Sequence, residues 1–141
     1  MPYVRSAGGI IFYKKGKKIK YLLIKYRAGH WEFPRGHVEK RESDIEAAKR
    51  EIEEETGLKD LVFIPGFQKK SSWFYKRKSE DKQVYKEVFF YIYQSKTKKV
   101  KLSFEHIDFC WLTYKEAIKK ITFYNMKNVL READKYIKNL F

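Results

Sequence analysis

The sequence predicts an α+β domain in which a mixed β-sheet lies between helices. Three observations carry this prediction: strand-like apolar runs occupy both ends of a central segment, that segment has the capping signals of one helix, and two further helical stretches close the chain. A length of 141 residues suits a single domain over 1–141, large enough to bury a core without metal or disulfide staples.

The elements follow in order. Val4–Tyr13 and Ile19–Tyr26 are rich in Ile, Leu and Tyr and flank Lys14-Lys15-Gly16-Lys17-Lys18, a hairpin signal with glycine available for positive φ. His30–Gly36 reads as a short extended piece and loop, because Pro34 disfavours α geometry at Phe33. Ser43 then caps a helix, with Glu46 three residues on to complete a capping box. In that helix Ile45, Ala48 and Ile52 are expected on a buried face, and Thr56-Gly57-Leu58 is expected to end it with a left-handed glycine cap. Apolar runs at Leu61–Phe67, Ser72–Tyr75, Val84–Tyr93 and Phe104–Leu112 predict strands, and the basic stretch Lys76–Lys82 between two of them predicts a mobile loop. Thr113 caps a short helix with Glu116, and Asn125–Leu140 forms the last one.

Composition narrows the partners. A formal charge of +14 and a pI near 9.7 imply polyanions, either a nucleotide with many phosphates or a nucleic acid. No apolar run is long enough to span a bilayer, and the first residues lack the apolar core of a signal peptide, so no membrane partner and a cytoplasmic location are expected. A monomer or weak homodimer is expected. Three Gln and three Asn among 35% charged residues match the drift of heat-adapted proteins, which predicts a thermophilic source. The lone Cys110 lies in an apolar run and reads as an inert buried thiol.

The chemistry is concentrated between Gly36 and Leu58. Glu51, Glu54 and Glu55 stand at i, i+3 and i+4 and so share one helical face. Like charges at these spacings repel, and a divalent cation relieves them. Oxygen-only ligands select hard ions, which points to Mg²⁺ with Mn²⁺ as a substitute. The stretch fits G-x5-E-x7-R-E-U-x-E-E-x-G-U, where U is apolar, through Gly36, Glu42, Arg50, Glu51, Ile52, Glu54, Glu55, Gly57 and Leu58. Seven fixed identities at roughly one in fifteen each put a chance match at about 10⁻⁸ per starting position.

This pattern resembles a Nudix box, and the resemblance extends over nearly the whole chain. It implies a Nudix-type α/β/α sandwich with a mixed central sheet. Outside the box, His30-Trp31 leading to Pro34–Glu39, Lys86–Tyr91, Leu102–His106 running to Trp111-Leu112, and Phe123 with Met126-Lys127 look most like the asymmetric diadenosine tetraphosphate hydrolases. In that family the dinucleotide is split into ATP and AMP. The resemblance assigns metal binding to Glu51, Glu54, Glu55 and the Gly36 carbonyl, with Glu105 approaching from another strand. The box glutamates are also the catalytic candidates, Glu51 first and Glu54 second as general base. Glu42 and Arg50 are expected to form an ion pair behind the cluster. Arg35, His37 and Lys86 are expected on the phosphate chain, and Phe90 with Phe123 as a stacking pair for adenine. Arg35 stands where the family often has Lys, Phe90 where it commonly has Tyr, and Lys40-Arg41 where relatives usually have Pro-Gly. Other readings of the same box are removal of pyrophosphate from the 5′ end of RNA, hydrolysis of oxidised nucleoside triphosphates, and a catalytically silent RNA-binding module.

Overall fold

The computed structural model describes residues 2–77 and 81–141. Its elements are β1 (Tyr3–Lys15), β2 (Lys18–Tyr26), β3 (Trp31–Glu32), β4 (Arg35–His37), α1 (Asp44–Thr56), β5 (Val62–Arg77), β6 (Lys82–Gln94), β7 (His106–Leu112), α2 (Tyr114–Lys120) and α3 (Tyr124–Leu140). The strands form one sheet in the order β3-β2-β1-β6-β5, with β4 added to β1 and β7 to β2. It is mixed: β1 runs parallel to β6 and every other pairing is antiparallel.

Central strand β1 is buried on both faces, so it reads as a nearly continuous apolar run. Ile10 and Phe12 point into a core shared with Met126, Val129, Leu130 and Ala133 of α3. Ala7 and Ile11 point the other way, onto Ala47, Ala48 and Ile52 of α1. This period-two alternation makes the α/β/α sandwich. Among the described residues no helix is long and apolar enough to cross a membrane.

One edge of β1 is divided between two partners, and the division positions the site. Phe12–Lys15 pairs with β2, whereas Ser6–Gly8 pairs with β4. The strands part between them, where the Gly9 N–H donates to the Pro34 carbonyl at 3.1 Å. Strand β4 is thereby laid beside α1.

Helix α1 begins at Ser43 with both reciprocal bonds of a capping box, and it ends at Gly57, whose φ of 72° is left-handed. Its buried face is Ala47, Ala48 and Ile52; Ile45 is 37% exposed and does not join it. The reason is phase: Ala47 lies closer to the centre of the sheet-facing stripe. The runs Leu61–Phe67 and Ser72–Tyr75 are one strand, β5, with a register irregularity between Ile64 and Lys69. Pairing to β6 carries the strand across Pro65-Gly66, which breaks only the local pattern. That pairing also reaches Arg77↔Lys82, so the expected loop is reduced to its tip; residues 78–80 lie outside the described residues. Phe104 and Glu105 form a turn before β7 instead of its first residues.

Arg41 sits at φ 67°, a left-handed conformation that costs a side-chain-bearing residue roughly 1–2 kcal/mol. Arg41→Gly is expected to raise thermal stability by up to ~1 kcal/mol, after the larger entropy loss of glycine is offset. A lower melting temperature in a calorimetric scan would refute the strain.

Candidate active site

Gly36 and the box helix face each other at close quarters. A Cβ at Gly36 would overlap the Glu51 carboxylate, so any larger residue here would displace that carboxylate from its position. Arg50 binds the two segments together: its Nε lies 2.6 Å from Glu42 Oε2, Nη1 lies 2.9 Å from Glu51 Oε1, and Nη2 donates to the His37 carbonyl at 2.9 Å. The guanidinium holds the Glu42 carboxyl below its usual range. Glu54, further along the same face, has only the long Arg50 contact at 3.4 Å and stays exposed.

Glu55 is the most deeply placed of the three glutamates. Burial pushes its pKa up to about 7, against the opposing effect of His106, whose Nε2 lies 3.1 Å from Glu55 Oε1. That contact is close but poorly aligned for a hydrogen bond, and among the described residues Glu55 Oε2 has no partner. Burial also raises Glu51, opposed by Arg50. Ligand atoms of Glu55, Glu105 and His106 lie within 4.8 Å of one another. Together with the glycine-walled gap, the unpartnered Glu55 oxygen and an oxygen-rich donor set fit a hard divalent cation. His106 packs edge-on against Tyr26 at 4.6 Å, which fixes it as a brace for Glu55.

The structure gathers Arg35, Gly36, His37, Glu51, Glu54, Glu55 and Glu105 around one cleft of ≈ 620 Å³. It places Lys86 and Phe123 elsewhere. Phe123, 47% exposed, borders a second cleft of ≈ 370 Å³ with His30, Glu32, Arg35, Trp73, Asn125 and Met126. Arg35 lines both, with its guanidinium carbon 5.1 Å from the centre of the Trp73 ring. Lys86 reaches the same indole at 5.7 Å, and burial together with Arg35 lowers its pKa to about 8. Burial and then Lys86 lower His37.

Phe90 is a correction. It is fully buried in the core and meets Phe33 edge-on at 5.8 Å, so neither face is open to a base. Strand β6 lies between β1 and β5, and alternation along it turns Phe90 toward α3. Three residues that the sequence did not single out occupy the site instead. Trp73 provides an aromatic wall of the cleft that Phe123 borders. Glu32, 1% exposed, holds Arg35 at 2.6 Å. His106 backs Glu55. Period-two alternation along Ser72–Tyr75 was the available signal for Trp73; Glu32 and His106 had none beyond their neighbours.

A mixed sheet between helices, carrying helix-borne carboxylates against a glycine strand, defines a class, and the chain belongs to the NUDIX domain family, which matches residues 2–133. It is a Nudix pyrophosphohydrolase and shares that family's dependence on a divalent metal. It is 34% identical to the asymmetrical bis(5′-nucleosyl)-tetraphosphatase of Sus scrofa, over 95% of each chain. A solved C. elegans Ap4A hydrolase binary complex superposes with a TM-score of 0.82 at 28% identity, covering 96% of this chain and 98% of that one. Similarity to the RNA pyrophosphohydrolase of Bartonella quintana is 32% over 53% of this chain and 46% of that protein.

Proposed function

We propose that the protein is a Mg²⁺-dependent hydrolase that splits diadenosine tetraphosphate into ATP and AMP. The observation that carries this reading is the pair of clefts joined at Arg35, one lined by carboxylates and the other walled by Trp73 and Phe123. A dinucleotide with a base in the aromatic cleft would run its phosphates past Arg35 into the acidic one. Similarity to the asymmetrical tetraphosphatases over 95% of the chain supports the same substrate.

Glu51, Glu54, Glu55, Glu105 and the Gly36 carbonyl would hold the metal. When bound, it supplies charge neutralisation and Lewis acidity toward phosphoryl oxygens. The chain's own residues do the rest. Trp73 and Phe123 stack adenine, and Arg35, His37 and Lys86 bind the phosphates, Arg35 by a planar fork suited to two oxygens. Glu42 and Arg50 fix Glu51. Glu54, with only its long contact to Arg50, is better placed than Glu51 to accept the proton of the attacking water.

An off-centre position of the reacting phosphorus follows from one base being anchored and predicts asymmetric cleavage. Diadenosine tetraphosphate hydrolysed in ¹⁸O-labelled water should give ATP and AMP. Trp73→Ala or Phe123→Ala should raise KM by the equivalent of ~1–3 kcal/mol, the usual worth of base stacking on an aromatic ring. Two ADP molecules as the main product, unchanged KM in both variants, or a higher kcat/KM on 5′-triphosphorylated RNA would overturn this assignment.

A further inference from the structure

We infer that the tip of the β1–β2 hairpin and the first part of the connection between β6 and β7, residues 95–99, form a binding surface for single-stranded nucleic acid, remote from the active cleft. The hairpin contributes Lys14, Lys15, Lys17, Lys18 and Lys20, and the connection contributes Lys96, Lys98 and Lys99. No Asp or Glu occurs between residues 1 and 31 or between residues 88 and 104. Lys69, Lys70, Lys76 and Lys138 each hold a carboxylate. Among the described residues, none of these eight lysines enters an ion pair. So much uncompensated like charge at one end of a fold opposes its compact state, and a polyanion relieves it.

The arrangement selects the kind of polyanion. On one face of the hairpin, Lys15, Lys18, Lys20 and Lys98 surround Tyr13, with Lys98 Nζ 5.5 Å from the ring centre. On the other, Lys14, Lys17 and Lys115 border a cleft of ≈ 950 Å³ that also contains Tyr114 and Phe141, with Lys14 Nζ 4.8 Å from the Phe141 ring. Ammonium groups interleaved with aromatic rings bind backbone phosphates and stack bases without regard to sequence. A membrane would meet a flat face, whereas this charge wraps both sides of a narrow two-stranded blade.

The nearby carboxylates are already engaged. Asp134 accepts the Tyr21 hydroxyl at 2.6 Å and pairs with Lys138 at 2.9 Å, and Glu116 caps α2. The active-site strand β4 pairs with Ser6–Gly8, so the tip at Lys15 is roughly 25 Å further along β1 at ~3.3 Å per residue. Binding at the blade is therefore separable from hydrolysis.

The test is fluorescence anisotropy with a labelled 5′-hydroxyl RNA 12-mer, which carries no terminal phosphate chain for the acidic cleft. Affinity should fall with salt at a log–log slope near −3, as for about four phosphates on a single strand. The triple variant K15E/K18E/K98E should bind at least 10-fold more weakly with unchanged kcat/KM on diadenosine tetraphosphate. The charge-matched control K76E/K82E/K135E should lose less than about 3-fold. Absence of salt-dependent binding, equal losses in the two triple variants, tighter binding to a duplex of the same length, or preferential capture by anionic vesicles overturns the inference.

Discussion

Glu55→Gln is expected to lower kcat by 10²-fold or more while making the metal-stripped protein more stable at pH 8. The two effects share one cause, a carboxylate kept in a buried position where its charge is unfavourable until a cation is bound. Burial raises its pKa from 4.5 to about 7, which corresponds to about 3 kcal/mol. Because the folded value lies above the unfolded one, the carboxyl contributes full stability below pH 4.5 and loses it as pH rises through 7. Metal-stripped wild type should therefore weaken between pH 5 and 8, and the Gln variant, which has no charge to bury, should not. Urea unfolding at both pH values in the presence of a chelator measures this directly. A variant that is less stable than wild type at pH 8, or that retains near wild-type turnover with metal, would remove Glu55 from the metal site. Glu54→Gln should show the kinetic loss without the stability gain, because Glu54 is exposed.

The second large effect is expected at Arg35. Its partner Glu32 is buried, receives the guanidinium at 2.6 Å and is otherwise approached by His30 Nε2 at 3.3 Å. Arg35→Ala leaves that buried carboxylate with only His30 and the more distant Lys86 to offset its charge. Breaking a buried pair from one side costs about 3–5 kcal/mol. Glu32→Gln in the same chain should recover much of the loss, since it removes the stranded charge. It should not recover substrate affinity, because the phosphate-binding fork is gone in both. Chemical denaturation together with KM for the single and double variants separates the two roles; a loss under 1 kcal/mol in Arg35→Ala would show that Glu32 does not depend on it.

Much of the fold was legible because its signals are local. The Ser43 and Thr113 caps, the Gly57 terminus and the apolar strands each depend on a few adjacent residues, and each is found where those residues stand. Strand continuity was not local. Pro65-Gly66 interrupts the apolar pattern, but β6 supplies hydrogen-bond partners on both sides of it. Ile45 likewise had the right composition and the wrong phase, since the exact stripe that α1 buries is set by how the helix lies on β1.

The sequence by itself determined that three carboxylates lie together. Carboxylates at i, i+3 and i+4 share a face of any helix that carries them, and spacing alone therefore marked Glu51, Glu54 and Glu55. Which ring can meet a base was decided only by tertiary structure, because an aromatic side chain has the same local pattern whether it is buried or open. The sheet order places β6 centrally and closes Phe90 into the core, while β5 at the edge leaves Trp73 facing the cleft that Phe123 reaches from the start of α3. The environment of His106 was decided the same way: the fold brings β7 beside α1, and no spacing along the chain encodes its contact with Glu55. Glu32 meets Arg35 only three residues away, but its burial was decided by the packing around it.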